Sequence, residues 1–84
     1  MSQKDLNTVK RIGNQYRRLL SNQHSMFDVE FEKLDYHIQT RDIENAIRDL
    51  IVIFEVAEEN DLIPSDLTYP GPDEIDDLIK KYNI

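Results

Sequence analysis

The chain of 84 residues has no cysteine and no tryptophan, only two glycines, and only three prolines. Without cysteine there is no disulfide staple and no thiolate metal site, and the composition suits a reducing compartment. No apolar run approaches the roughly 18 residues that a membrane-spanning helix needs. The first residues lack the short apolar core of a secretory signal, so a cytoplasmic protein is expected. With so little glycine there is no phosphate-cradling loop, and no calcium-loop spacing occurs. The two histidines, His24 and His37, have no second histidine at metal-ligand spacing. His37 reads as a partly exposed side chain near Glu32 and Asp35. No serine stands in a nucleophile-elbow context, and there is no thiol. The acidic pairs Glu58/Glu59 and Asp76/Asp77 are adjacent in sequence and splay apart on a helix, whereas paired-carboxylate catalysis needs convergence in a cleft. A chain this short makes one domain, residues 1–84, with a modest core and no deep cofactor pocket. No enzyme, cofactor, metal or small-molecule substrate is expected.

Basic residues are scarce too, and unevenly placed. The net charge is −7. Residues 1–25 carry Lys4, Lys10, Arg11, Arg17 and Arg18 against Asp5, a net +4, while residues 26–84 carry five basic and sixteen acidic side chains, a net −11. An acidic body does not grip nucleic-acid phosphates. It either keeps a small protein soluble or steers it toward a basic partner.

What is abundant is helical periodicity. The most apolar stretch is Ile43 to Ala57, in which Ile43, Ala46, Ile47, Leu50, Ile51, Phe54 and Ala57 share one face at 3.6-residue spacing. Leu50 to Phe54 alone would pass for a buried strand. The run lies among good helix formers with no Gly or Pro before Pro64, which favours a helix ending near Asn60. Val52 and Val56 fall on the opposite side, among Asn45, Arg48, Asp49, Glu55 and Glu59.

The other helices follow by the same rule. Ser2 can cap a helix over 3–21, with Asp5 as capping-box acceptor and Leu6, Val9, Ile12, Tyr16, Leu19 and Leu20 as its stripe. Its basic residues lie off that stripe and suit pairing with the acidic remainder. Gly13 costs this helix about 1 kcal/mol relative to Ala. After a polar break, Ser25 can cap a helix at 26–39, with Asp28 in its first turn and Phe27, Phe31, Leu34 and Ile38 inward. Thr40 to Asp42 is a tight link with Thr40 or Asp42 as N-cap, and so short a link favours antiparallel neighbours. The three prolines bound Pro64 to Pro72, leaving room for one short turn over 65–69. Pro72 opens a final helix to residue 82, with Ile75, Leu78, Ile79 and Tyr82 buried and its charges ordered with the helix dipole. The expectation is an all-α protein, a small antiparallel bundle of three long helices, a short turn and a C-terminal helix.

Two surfaces remain for function. Val52 and Val56 are either core, if another helix covers them, or an apolar centre with an acidic rim, the anatomy of a binding hot spot. Tyr69, on the Pro-bounded segment with Asp66, either plugs the bundle or anchors an interface. The candidate protein-binding residues are Asp49, Val52, Glu55, Val56, Glu58, Glu59, Asp66 and Tyr69. The expected partner is a basic protein. An interaction module, monomeric or dimerising through Val52/Val56 or the first helix, is the alternative. Contact of the basic helix with nucleic acid or a membrane is a weaker third.

From Leu50 onward, over about 35 of the 84 residues, the sequence resembles the immunity proteins of nuclease colicins and pyocins. The residues that carry it are Phe54-Glu55 and Glu59, then Ser65-Asp66-Leu67 with Tyr69-Pro70, then a helix from Pro72 with Ile75, Ile79, Lys80 and Tyr82. The family pattern has two tyrosines before the proline, where this chain has Thr68 and Tyr69. The loop before the last helix is shorter here, and residues 1–22 would form an extra helix. The resemblance implies a small acidic helical protein that blocks a nuclease toxin. Glu55 and Glu59 match the family's acidic helix, and Asp66 and Tyr69 its short one.

Overall fold

The computed structural model describes residues 3–21, 24–62 and 72–84, and in them the chain forms four helices: α1 (Gln3–Leu19), α2 (His24–Gln39), α3 (Ile43–Glu59) and α4 (Pro72–Tyr82). The described residues contain no strand. Leu50 to Phe54 is helical throughout, as its helix-forming flanks favour. None of these helices is long and apolar enough to cross a membrane. The short turn expected at 65–69, with Asp66 and Tyr69, and the cap Ser2 lie outside the described residues.

The helix ends follow from local chemistry. Asp42, not Thr40, caps α3. Its side chain accepts from the Asn45 backbone N–H at 3.4 Å and from Asn45 Nδ2 at 2.7 Å. This last bond, helped by the backbone bond and opposed by burial, lowers the Asp42 pKa. Thr40 instead turns its hydroxyl back to the Tyr36 carbonyl at 3.0 Å, at the end of α2. α2 begins at His24, so Ser25 is its second residue and Asp28 falls beyond its first turn. α1 stops at Leu19, two residues short of the expected end, and Leu20 enters the core from the turn that follows. Arg41, Asp61 and Asn83, each just past a helix, adopt positive φ of 60°, 54° and 56°. In the first two turns the next residue's N–H closes the helix end, Asp42 to the His37 carbonyl at 2.8 Å and Leu62 to the Ala57 carbonyl at 2.9 Å.

α3 is the hub, packing against each of the other three helices. Its buried residues are Ile43, Ala46, Ile47, Leu50, Ile53 and Ala57. Ile53, absent from the expected stripe, is fully buried, whereas Ile51 and Phe54, expected inside, are only half-buried. The run from Leu50 to Phe54 is apolar on every side, so neighbours rather than pattern decide which of its faces goes inward. The core continues through Val9, Ile12 and Tyr16 of α1, Phe27 and Leu34 of α2, and Ile75 and Leu78 of α4.

At Gly13 a side chain of α2 comes close against the backbone of α1. A Cβ there would lie 2.9 Å from Leu34 Cδ2. The helix-propensity cost of glycine is offset by this approach. Polar clamps tie α1 to its neighbours. Arg17 stacks over Phe31 at 5.1 Å and pairs with Asp35 on α2, and Arg11 pairs with Glu74 on α4 at 2.7 Å. Part of the basic side of α1 is thus used within the protein.

Candidate functional site

α3 carries most of the candidate residues, and α2 and α4 flank it on opposite sides, which separates them into two groups. On the α2 side lie Asp49, Val52 and Val56. Asp49 meets His37 Nδ1 at 2.6 Å, and both side chains are largely covered, with 14% and 20% exposed. His37 therefore pairs across the α2–α3 contact rather than with Glu32 or Asp35 on its own helix. Burial raises the Asp49 pKa, and the hydrogen bond and charge of His37 work against that rise. A carboxylate so covered and so paired is a fixture between helices more than a reaching group. Val56 is half-buried and packs against the core. Val52, one turn away, is 43% exposed. The two valines thus divide the two readings between them.

On the α4 side Glu55 and Glu58 form one wall of a groove of about 300 Å³. Its floor is Ile51, Phe54, Ile75 and Ile79, and Asp76 of α4 stands on the other wall. Ile51, Phe54 and Ile79 remain half-buried and Ile75 is buried, while Glu55, Glu58 and Asp76 are exposed. Glu59 is exposed beside them on the outer face of α3. The ion pairs among the described residues join Arg11 to Glu74, Arg17 to Asp35, His37 to Asp49 and Lys81 to Asp5. None draws on the groove's carboxylates or on Glu59. A larger groove, about 390 Å³, lies between α1 and α2. There Arg17 and Asp35 already neutralise each other across it, and Arg17 covers Phe31.

A third feature is an apolar strip that the periodicity did not single out. Met26, Val29 and Tyr36 of α2 are exposed at 45%, 56% and 63%. Their spacing of three and seven residues puts them on one face of α2. The signal was present in the sequence, since α2 has apolar residues on two faces, but the stronger stripe of Phe27, Phe31, Leu34 and Ile38 masked it. The sequence pattern marks Ile75 and Ile79 of α4 as buried face and Asp76 as half of an adjacent acidic pair. Only the packing of α4 on α3 shows that they share a groove with Glu55 and Glu58. Asp66 and Tyr69 lie outside the described residues.

Among the described residues no group of three or more His, Cys, Asp or Glu side chains is placed to hold a metal ion. The α3–α4 face presents apolar surface framed by carboxylates that form no ion pair among the described residues. No protein-family model, curated protein or solved structure matches this chain.

Proposed function

We propose that this protein is a non-enzymatic inhibitor that binds and occludes a basic protein through the outer face of α3 and the adjoining side of α4. Its most concrete form is an immunity protein for a bacterial nuclease toxin. The observation that carries this reading is the set of exposed carboxylates Glu55, Glu58, Glu59 and Asp76, none of them in an ion pair among the described residues, beside apolar surface that the fold leaves half-covered. Apolar area supplies affinity once desolvated, and surrounding charge supplies steering and selectivity. The resemblance of residues 50–84 to the colicin and pyocin immunity proteins adds the nuclease to the picture, with Glu55 and Glu59 at matching positions.

The test is direct. A nuclease-domain toxin encoded immediately upstream should form a stable complex with this protein and lose its activity in stoichiometric mixture. A purified nuclease of that kind that neither binds nor is inhibited removes the immunity reading. A second reading rests on exposed apolar residues of the two helices that pack together most extensively, the strip of Met26, Val29 and Tyr36 on α2 and Val52 on α3. Such a strip suits an interaction module that pairs with itself. Sedimentation equilibrium distinguishes it, since a monomer at high concentration excludes self-pairing.

A further inference from the structure

The α3–α4 groove has a chemistry that narrows what it takes. Among the described residues its floor is aliphatic and aromatic, and its charged rim is acidic on both walls. Neither lysine nor arginine among the described residues lines it. An anionic ligand would meet only like charge, and a neutral polar one would find no cationic donor. At about 300 Å³ the space stands at the lower bound of pockets that enclose small molecules, roughly 300–1,000 Å³. It is open along the seam of two helices, the setting in which an amphipathic segment lays its anchors. Glu55 and Glu58 are one turn apart along one wall, so a helix lying in the groove could meet them with basic residues at matching spacing.

We infer that this groove seats apolar side chains, one turn apart, on a basic amphipathic helix of the partner protein, with Glu55, Glu58 and Asp76 receiving its flanking lysines or arginines. The inference rests on the protein-binding reading and names the segment of the partner that is held. It also accounts for Ile51 and Phe54 of α3 and Ile79 of α4 being left half-covered along the seam of the two helices: the guest helix completes their burial.

The experiment uses the whole protein with isoleucine methyl labels and three synthetic helical peptides, one of Leu and Lys, one with Ala replacing Leu at the same charge, and one of Leu and Glu. The Leu/Lys peptide should shift the methyl resonances of Ile51, Ile75 and Ile79, and the other two should leave them in place. The variant Glu55→Gln/Glu58→Gln/Asp76→Asn changes only exposed side chains, so the fold survives, and it should weaken the Leu/Lys peptide about tenfold or more. Ile79→Ala should weaken it as well, with the helical circular dichroism signal confirming that this variant is folded. Shifts centred on Ile38, Ile43 or Ile84 instead, shifts spread over all isoleucines, equal binding of the Ala/Lys peptide, or no binding overturns the inference. Repeating the titration with a captured basic partner separates the two levels. A partner that binds the triple and Ile79→Ala variants undiminished removes the groove and leaves the inhibitor reading. Leu/Lys binding at the groove with no inhibition of any adjacent nuclease keeps the groove and removes the immunity reading.

Discussion

Asp5 accepts a hydrogen bond from the Tyr82 hydroxyl at 2.6 Å and meets Lys81 Nζ at 2.7 Å. A carboxylate read from sequence as a helix-capping group thus fastens α4 to the start of α1. Lys81, and after it Tyr82, hold the Asp5 carboxyl below its ordinary 3.8, and Asp5 in turn pushes the Tyr82 hydroxyl up to about 12. The depressed carboxyl contributes stability above pH 3.8 that is lost as pH falls through its lower folded value. The raised phenol contributes stability below pH 10 that is lost as pH climbs toward about 12. Tyr82→Phe should cost about 1–2 kcal/mol, the scale of a hydrogen bond to a charged group that is partly screened. Thermal melts of both proteins should show a constant gap at intermediate pH, closing at both extremes. No gap at intermediate pH would show that the bond contributes nothing, and a gap that persists as pH climbs through about 12 would show that it has another source. Gly13 gives a second forecast. Alanine gains about 1 kcal/mol of helix propensity, but its Cβ must displace fully buried Leu34, an overpacking cost of about 1–3 kcal/mol. Gly13→Ala should therefore melt at the same temperature or lower, and a clear rise in Tm would contradict the close approach of α1 to α2.

At the scale of the helices, each cap is a local solution with a distinct cost. Arg41 and Asp61 occupy the left-handed position that ends α2 and α3, where an L side chain is strained and glycine is not. Arg41→Gly and Asp61→Gly should each stabilise by about 0.5–1 kcal/mol after the greater entropy of glycine in the unfolded chain is counted. In a domain of this size that is a rise in Tm of roughly 2–8 °C, measurable by calorimetry. A fall in Tm would mean that the side chains make contributions larger than the strain. The two valines of α3 behave as different kinds of residue. Val52→Ala should leave stability within about 0.5 kcal/mol, as exposed substitutions do, and should act on affinity for whatever covers that face. Val56→Ala should lower stability by about 1 kcal/mol, since it loses methyl groups packed on the core. Equal losses for both would mean that Val52 is covered in the free protein.

For the molecule as a whole, charge is segregated by side. α1 carries five of the ten basic residues and packs on the inner face of α3, whose outer face bears Glu44, Glu55 and Glu59 with Arg48 among them. Arg11 and Arg17 pair with Glu74 and Asp35, while Glu55, Glu58 and Glu59 are exposed and form no ion pair among the described residues. Association with a basic protein should slow as salt rises, because the Debye length shrinks from about 10 Å at 0.1 M to about 3 Å at 1 M. Glu55→Gln and Glu59→Gln should mainly reduce the association rate and leave dissociation nearly unchanged. Stopped-flow mixing with the partner reads both, and a salt-independent rate would deny the acidic face its steering role.

The sequence by itself determined the helices, their approximate ends and most of their inward residues. Each of these depends on residues three or four apart, and Leu6, Val9, Ile12 and Tyr16 or Ile43, Ala46, Ile47 and Leu50 state that spacing without ambiguity. It also determined the charge division, which is a matter of composition. Tertiary structure decided what depends on residues far apart in the chain. The rotation of α3 within its apolar run brought Ile53 in and left Ile51 and Phe54 half-covered, because α2 and α4 flank the helix on particular sides. The same packing turned Asp49 toward His37 and away from the outer acids. It also joined Glu55 and Glu58 to Asp76 across a groove, although about twenty residues separate them in the chain. Helical periodicity names a face, but which neighbour meets that face is fixed only when the helices pack.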